Sequence, residues 1–207
     1  MPDTLLAAAA LRVLMIGNSL TYANDLPATV ERLLDAAGLE ATVDSVTYPD
    51  VSLGDQWERA TARRAIAEGR YDVVVLQQGP SAAPESRMIL KKDAGRFAQL
   101  IRKAGGRPAL YMVWPAEARS QDWPGVEASY ADAAAACDCL LLPAGRAWRL
   151  ALDNSARHLF AEDGFHPSPL GSELAALVIA AGITGRPPSD FQADPALQAI
   201  ATRALGP

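Results

Sequence analysis

Two short motifs near opposite ends of the chain contain the residue types that serine-based nucleophilic catalysis requires. Residues 17–21 read Gly-Asn-Ser-Leu-Thr and place Ser19 in a turn that follows an apolar run. Residues 163–167 read Asp-Gly-Phe-His-Pro and place Asp163 three residues before His166, one of the two histidines in the chain. A serine hydroxyl is a poor nucleophile at neutral pH until a base accepts its proton, and the base needs an anion to fix its tautomer. Ser19, His166 and Asp163 are therefore candidates for these three roles.

The residues around each motif predict where the candidates lie. Pro167 ends any preceding helix, and Ser168 followed by Pro169 is typical of a helix N-cap and first helical position. His166 is thus expected on a loop just before a helix. Ser19 is expected between a strand and a helix, where backbone N–H groups point outward and can bind an anion. Taken alone, such a turn is more often an ordinary turn or helix cap than a nucleophile site.

The elements that position these motifs follow from hydrophobic periodicity. Five apolar runs alternate with segments of helical spacing, and a short helical tail follows residues 185–188. Continuous apolar strands are typical of a parallel sheet covered on both faces, and the order βαβαβαβαβα predicts an open doubly wound sheet with right-handed crossovers. Ligands of such folds bind beyond the carboxyl ends of the strands. The predicted strands are 12–16, 42–47, 72–76, 109–114 and 140–142, and the predicted helices are 26–37, 60–67, 87–104, 126–137 and 170–183.

Composition limits the class of protein. With 207 residues, 50% of them apolar and 21% charged, we expect a single domain over 1–207, with residues 1–10 as an N-terminal tail. The net charge is −5, and no basic run is interleaved with aromatic residues, which argues against nucleic acid or an anionic membrane as partner. The apolar segment 5–14 is too short to span a bilayer and has no basic residue before it, so we interpret it as the tail leading into the first strand.

The two cysteines, Cys137 and Cys139, match neither a disulfide framework nor paired zinc ligands. We interpret them as free thiols of a reduced, cytoplasmic protein, with a C-x-C redox pair as the alternative. Dinucleotide, nucleoside triphosphate and zinc protease motifs are absent, so we predict no metal and no cofactor. The mid-chain Gly-x-Ser-x-Gly of the α/β-hydrolases is also absent.

The two motifs together resemble those of the SGNH/GDSL hydrolases. A strand ending in Gly-Asn-Ser-Leu and a C-terminal Asp-x-x-His carry the resemblance, which spans residue 17 to about residue 171. It implies a flavodoxin-like three-layer α/β/α sandwich with a five-stranded parallel sheet. It also implies hydrolysis of esters and thioesters, including acetyl groups on carbohydrates, through an acyl-enzyme. Ser19 would be the nucleophile, His166 the general base and acid, and Asp163 its orienting partner.

The resemblance also suggests the donors of an oxyanion hole, which must converge on the developing negative charge. The family adds to the serine N–H a glycine after the second strand and an asparagine after the third. Gly54 is the glycine available here, although Asp50 or Val51 could occupy the corresponding position. After the third strand, Gln78 precedes a glycine, similar to the Gln-Gly pair of the carbohydrate acetylesterase branch, and Gln77 and Ser81 are the alternatives for this donor. The implied oxyanion hole is therefore Ser19, Gly54 and Gln78.

A small-molecule ester with a short acyl or acetyl group is the expected substrate, and the oligomeric state stays open. Two alternatives also remain: a flavodoxin-like binding module that holds an anionic small molecule at residues 17–21, and a degenerate hydrolase without turnover. The first block reads Gly-Asn-Ser where the family more often has Gly-Asp-Ser. The candidate pocket residues are Asn18, Gln77, Ser81, Trp57 and Trp114, and Tyr48, Glu117, Arg119 and Trp123 are expected near the rim.

Overall fold

Five parallel strands form the centre of the chain in the computed structural model, which describes residues 10–154 and 158–206. Their spatial order, β2-β1-β3-β4-β5, is that of flavodoxin-like proteins. All neighbouring strands pair in parallel, which confirms the predicted α/β sheet. The strands are β1 (Leu11–Gly17), β2 (Ala41–Thr47), β3 (Val73–Leu76), β4 (Arg107–Tyr111) and β5 (Leu140–Leu142).

Helices cover both faces of the sheet and make the three-layer arrangement. The central strands are buried because each face carries a helical layer, and Val13, Met15 and Ile16 of β1 have no exposed surface. One layer contains α2 (Leu26–Ala36), α7 (Ala144–Asn154), α8 (Pro169–Thr184) and α9 (Pro195–Leu205), and the other contains α3 (Leu53–Glu58), α4 (Thr61–Gly69), α5 (Pro84–Lys103) and α6 (Trp123–Cys137). The short α1 (Ser19–Tyr22) follows β1. Within the described residues, no helix combines the length and the apolar content needed to cross a membrane.

Most predicted elements lie within a few residues of their observed bounds, and α9 confirms the helical tail. The fourth strand was predicted too long, because it ends at Tyr111 and not at Trp114. Its neighbours end at the same level: Leu76 pairs with Leu110, and Leu142 pairs with Tyr111. Helices α3 and α7 were not predicted. Of the expected N-terminal tail, residues 1–9 lie outside the described part of the chain.

The prediction of free thiols was wrong, because Cys137 and Cys139 are joined by a disulfide. Asp138 between them ends α6 in a left-handed conformation, with φ 50° and ψ 45°. This turn brings the two Cα atoms to 5.3 Å, within the range that a disulfide requires. The inference from free thiols to a reducing compartment therefore no longer holds.

Candidate active site

The turn between β1 and α1 is held by one buried glutamine. Gln77 lies just after β3, and its Oε1 accepts hydrogen bonds from the Asn18 N–H and the Thr21 hydroxyl, both at 2.8 Å. A Cβ at Gly17 would lie 2.3 Å from that oxygen and 2.3 Å from Thr21 Oγ1, so only glycine fits. The β1–α1 turn therefore has a conformation fixed by the neighbouring strand.

Asn18 uses both atoms of its side-chain amide. Its Oδ1 accepts from the Leu20 N–H at 3.1 Å and caps α1, while its Nδ2 donates to the Val51 carbonyl at 3.1 Å. An aspartate could accept the first hydrogen bond but could not donate the second. Asparagine at this position therefore joins the β1–α1 turn to the β2–α3 connection.

Ser19 is the first residue of α1 and is 7% exposed. Within the described part of the chain, its hydroxyl makes no hydrogen bond. Its backbone N–H stands at the start of a helix, where the helical ladder does not use it. Both groups are thus free for a bound molecule.

Asp163 and His166 form a self-contained unit in the loop before α8. Asp163 Oδ1 accepts the N–H groups of Phe165 and His166, each at 2.9 Å, and its Oδ2 lies 2.5 Å from His166 Nδ1. These hydrogen bonds lower the pKa of Asp163 to about 2, and the one to the His166 ring has the largest effect. Because the carboxylate is ionised, Nδ1 must carry the proton it shares. The other ring nitrogen, Nε2, is then the one that can act as a base.

The segment that carries Ser19 touches the loop that carries His166. Asn24 lies five residues after Ser19, and its Nδ2 donates to the Pro167 carbonyl at 2.8 Å. Pro167 follows His166 directly, and it also forms an isolated antiparallel bridge with Phe160. The connection that follows Ser19 therefore contacts the residue that follows His166.

The predicted oxyanion donors Gly54 and Gln78 lie on adjoining segments. The N–H of Leu53 donates to Gln78 Oε1 at 3.1 Å, and Gly54 is the next residue, in the first turn of α3. A Cβ on Gly54 would lie 2.8 Å from Asp93 Oδ2, so this helix packs too closely for a larger residue. Gln78 Nε2 donates one hydrogen to Ser81 Oγ at 3.1 Å and has a second to offer.

Tyr130 supports the Gln78 segment and was not found by sequence reasoning. Its hydroxyl donates to the Gln78 carbonyl and, at 3.2 Å, to that of Gly79. Burial raises the pKa of Tyr130, so the hydroxyl remains a donor. A buried tyrosine on α6 has no sequence signal that distinguishes it from an ordinary core residue.

A shallow cavity of about 260 Å³ opens beside this site. Phe165, adjacent to His166, forms one wall, and Ser81, adjacent to the Gln78 segment, forms another. Most of the lining is apolar, with Arg119 and Asp122 at one side joined by a 2.7 Å ion pair. The lining residues are Pro80, Ser81, Ala82, Ala83, Ser86, Pro115, Ala116, Arg119, Asp122 and Phe165.

Of the five predicted pocket residues, Ser81 lines this cavity, and the other four, Asn18, Gln77, Trp57 and Trp114, do not. Trp114 has no exposed surface and stacks on Trp148 in the core, with ring centroids 3.4 Å apart. Trp57 packs edge-on against Phe97 and lies under the guanidinium of Arg96. The apolar character that suggested a rim for both residues reflects core packing.

The candidate site contains nucleophilic, basic and hydrogen-bond-donating groups. Among the described residues, no group of three or more His, Cys, Asp or Glu side chains is placed to hold a metal ion. The site instead offers a hydroxyl, an imidazole with an ionised partner, and several N–H donors at one edge of the sheet. This set can transfer an acyl group through a serine.

Solved structures resemble this chain, whereas no family model and no curated protein matches it. A protein from Slackia heliotrinireducens assigned to the SGNH hydrolases is 30% identical, with 84% of this chain and 99% of that chain covered and a TM-score of 0.75. The lipase/acylhydrolase from Enterococcus faecalis is 18% identical, with 84% and 96% covered and a TM-score of 0.69. The acetyl xylan esterase AlAXEase is 15% identical, with 84% and 100% covered and a TM-score of 0.67.

Proposed function

This chain belongs to the SGNH/GDSL hydrolase family, and we propose that it hydrolyses short-chain carboxylic esters through Ser19, His166 and Asp163. The main support for the proposal is the Asp163–His166 unit. The 2.5 Å contact between Asp163 Oδ2 and His166 Nδ1 occupies Nδ1 and leaves Nε2 free to accept a proton. The Asn24–Pro167 hydrogen bond joins that unit to the segment that contains the free Ser19 hydroxyl.

In the first half of the reaction, Ser19 Oγ attacks the ester carbonyl while His166 Nε2 accepts its proton. The tetrahedral intermediate collapses as Nε2 returns that proton to the departing alcohol, which leaves an acyl-serine. In the second half, His166 takes a proton from water, the water attacks the acyl-serine, and Nε2 then protonates Ser19 as the acid is released. Asp163 stays ionised throughout and stabilises the imidazolium.

The oxyanion of each tetrahedral intermediate needs donors that already point to its position. We assign this role to the N–H of Ser19, the N–H of Gly54 and the Nε2 of Gln78. The first two stand at helix starts, where N–H groups lack helical partners. The third keeps one hydrogen after its contact with Ser81.

The cavity next to Phe165 favours a small acyl or alkyl group, because its volume of about 260 Å³ leaves little room for a long chain. Acetyl is the acyl group that we favour, and a carbohydrate is the candidate for the alcohol part of the ester. That the solved structures include an acetyl xylan esterase is consistent with this choice.

The binding-module alternative has less support. Holding an anion at residues 17–21 requires free backbone N–H groups in the turn. Most of them already have partners: the N–H of Asn18 donates to Gln77, that of Leu20 to Asn18 Oδ1, and that of Thr21 to the Asn18 carbonyl. The turn supplies too few donors to hold a phosphate on its own.

Intact-mass analysis after treatment with a fluorophosphonate tests the proposal. Wild type should gain one adduct, and Ser19→Ala should gain none. Ser86→Ala is the matched control, because Ser86 lines the cavity and its hydroxyl donates to the Ala83 carbonyl at 2.9 Å, and it should label like wild type. Failure of the wild type to label, or labelling of Ser19→Ala, would contradict the assignment of Ser19.

A further inference from the structure

Two side chains from separate elements hold the backbone on either side of His166. Trp114 Nε1 donates to the Phe165 carbonyl at 3.0 Å, and Asn24 Nδ2 donates to the Pro167 carbonyl at 2.8 Å. Phe165 and Pro167 are the direct neighbours of His166 in the chain. The position of the histidine is therefore restrained from both directions.

The contacts of Asp163 do not supply this restraint. They orient the imidazole relative to its own loop, since all of them lie within residues 163–166. They cannot fix the distance from that loop to Ser19, which lies on another connection. The His166 side chain is 38% exposed, so packing alone also leaves the ring room to move. Contacts from outside residues 163–166 therefore set the separation of nucleophile and base. They include the two side chains above and the N–H groups of Glu117 and Ala161, which donate to the Gly164 and His166 carbonyls at 2.8 Å.

We propose that Asn24 and Trp114 are positioning residues that keep His166 at reacting distance from Ser19, an inference that rests on the proposed function. Asn24 belongs to the connection that begins with Ser19, so its hydrogen bond to Pro167 couples the two catalytic backbones directly. Proton transfer from a hydroxyl to an imidazole requires hydrogen-bond distance, and small displacements are costly.

The direction of the Asn24 side chain is well determined. Its backbone is left-handed, with φ 52° and ψ 28°, between α1 and α2, a conformation that asparagine tolerates better than most residues. The same Nδ2 that donates to Pro167 also donates to Ser172 Oγ in α8 at 2.9 Å. Both hydrogens of the amide are thus used on the segment that follows His166.

Trp114 is equally constrained. It has no exposed surface, and its ring lies parallel to that of Trp148, with an interplanar angle of 7°. Trp148 in turn donates from its Nε1 to the Gly171 carbonyl at 3.2 Å. The stacked pair therefore presents two indole N–H groups to one segment, but only that of Trp114 reaches a neighbour of His166.

This difference supplies matched controls. Asn24→Gly keeps the left-handed backbone and removes the donor, and Trp114→Phe keeps an aromatic ring without the N–H. Ser172→Ala removes the second partner of Asn24 but keeps its contact with Pro167. Trp148→Phe removes an indole N–H that points away from His166. All four variants are compared with wild type in steady-state hydrolysis of p-nitrophenyl acetate and in the time course of fluorophosphonate labelling.

We expect kcat to fall about tenfold in Asn24→Gly and in Trp114→Phe. KM should stay within about twofold in Asn24→Gly, because Pro167, unlike Phe165, does not line the cavity. The rate constant of adduct formation should fall in parallel, while the final stoichiometry stays at one adduct per chain. Ser172→Ala and Trp148→Phe should remain within about twofold of wild type in both rates.

A purely structural role predicts a different pattern, in which the final stoichiometry falls with the folded fraction while the remaining molecules label at the wild-type rate. Any of three results would overturn the inference: that pattern, wild-type rates in both variants, or an equal loss of rate in the two control variants. If Trp114→Phe does not fold, the surface variant Asn24→Gly decides alone. A wild type that takes no adduct would overturn the proposed function itself, whereas a labelled wild type with unchanged variants overturns the positioning role only.

Discussion

Replacing Asp163 by asparagine should remove most of the activity and leave the fold intact. In the wild type, Asp163 Oδ1 accepts two backbone N–H groups and Oδ2 accepts the proton of His166 Nδ1. The asparagine carbonyl can still accept the backbone groups, which leaves its NH₂ facing the ring. Nδ1 must then accept a hydrogen bond, and the proton moves to Nε2. In this tautomer His166 cannot accept the proton of Ser19.

The size of the effect follows from the tautomer and not from lost stability. Asp163 is half exposed, and its partners all lie in its own loop, so the core is untouched. A triad whose histidine is held in the wrong tautomer typically loses about 10⁴ in kcat. We expect a loss of about 10³- to 10⁴-fold in Asp163→Asn with the melting temperature close to that of wild type.

The assay is hydrolysis of p-nitrophenyl acetate from about pH 4 to 9, with Glu162→Gln as the control. Glu162 is exposed and adjacent, so its variant makes the same change in charge without touching the ring. Since the pKa of Asp163 is about 2, its carboxylate is ionised over this whole range. Activity lost at the acid end then cannot be caused by protonation of Asp163. Activity of Asp163→Asn within about tenfold of wild type would refute the reasoning.

Three further changes test other parts of the structure. Gln78→Glu keeps the acceptor for the Leu53 N–H but places a carboxylate where the oxyanion needs a donor. We therefore expect kcat to fall at least about 10²-fold at unchanged KM. A wild-type kcat would show that Gln78 is not part of the oxyanion hole. Gly17→Ala should lower the melting temperature because its Cβ would lie 2.3 Å from Gln77 Oε1, and an unchanged melting curve would show that the turn can relax. Trp148→Ala should cost about 3–5 kcal/mol of unfolding free energy, measured by urea titration, because the ring is fully buried; a cost below about 1 kcal/mol would mean that the core refills the space.

The central strands were predictable because burial on both faces leaves apolar runs such as 13–16 and 73–76, whereas β2 at the sheet edge contains Asp44 and Ser45. Helix α7 was not, in part because Gly145 stands at its second position and lowers the expectation of a helix. A tertiary contact explains the glycine, because a Cβ at position 145 would lie 2.1 Å from the Val113 carbonyl oxygen. The overlong fourth strand has a similar origin: residues up to Trp114 are apolar because they are buried, not because they pair.

The predictable part of the site depends on contacts between residues close in sequence, and the unpredictable part depends on contacts between residues far apart in sequence. The pairing of Asp163 with His166 spans three residues, so its spacing is visible in the sequence. The contact of Asn24 with Pro167 spans 143 positions, and that of Leu53 with Gln78 spans 25. Such contacts depend on which strands are neighbours and on where each connection turns, which no local pattern of residue types encodes.

Two residues at which this chain departs from the more frequent family motif contact the same connection. Asn18 replaces an aspartate, and Gln78 replaces an asparagine, and each amide contacts the β2–α3 connection. Asn18 Nδ2 donates to the Val51 carbonyl, and Gln78 Oε1 accepts the Leu53 N–H, so the connection is held by one donor and one acceptor two residues apart. A carboxylate can only accept, so it could not hold the Val51 carbonyl. The two amides therefore hold the backbone next to Gly54, the residue whose N–H we propose as an oxyanion donor.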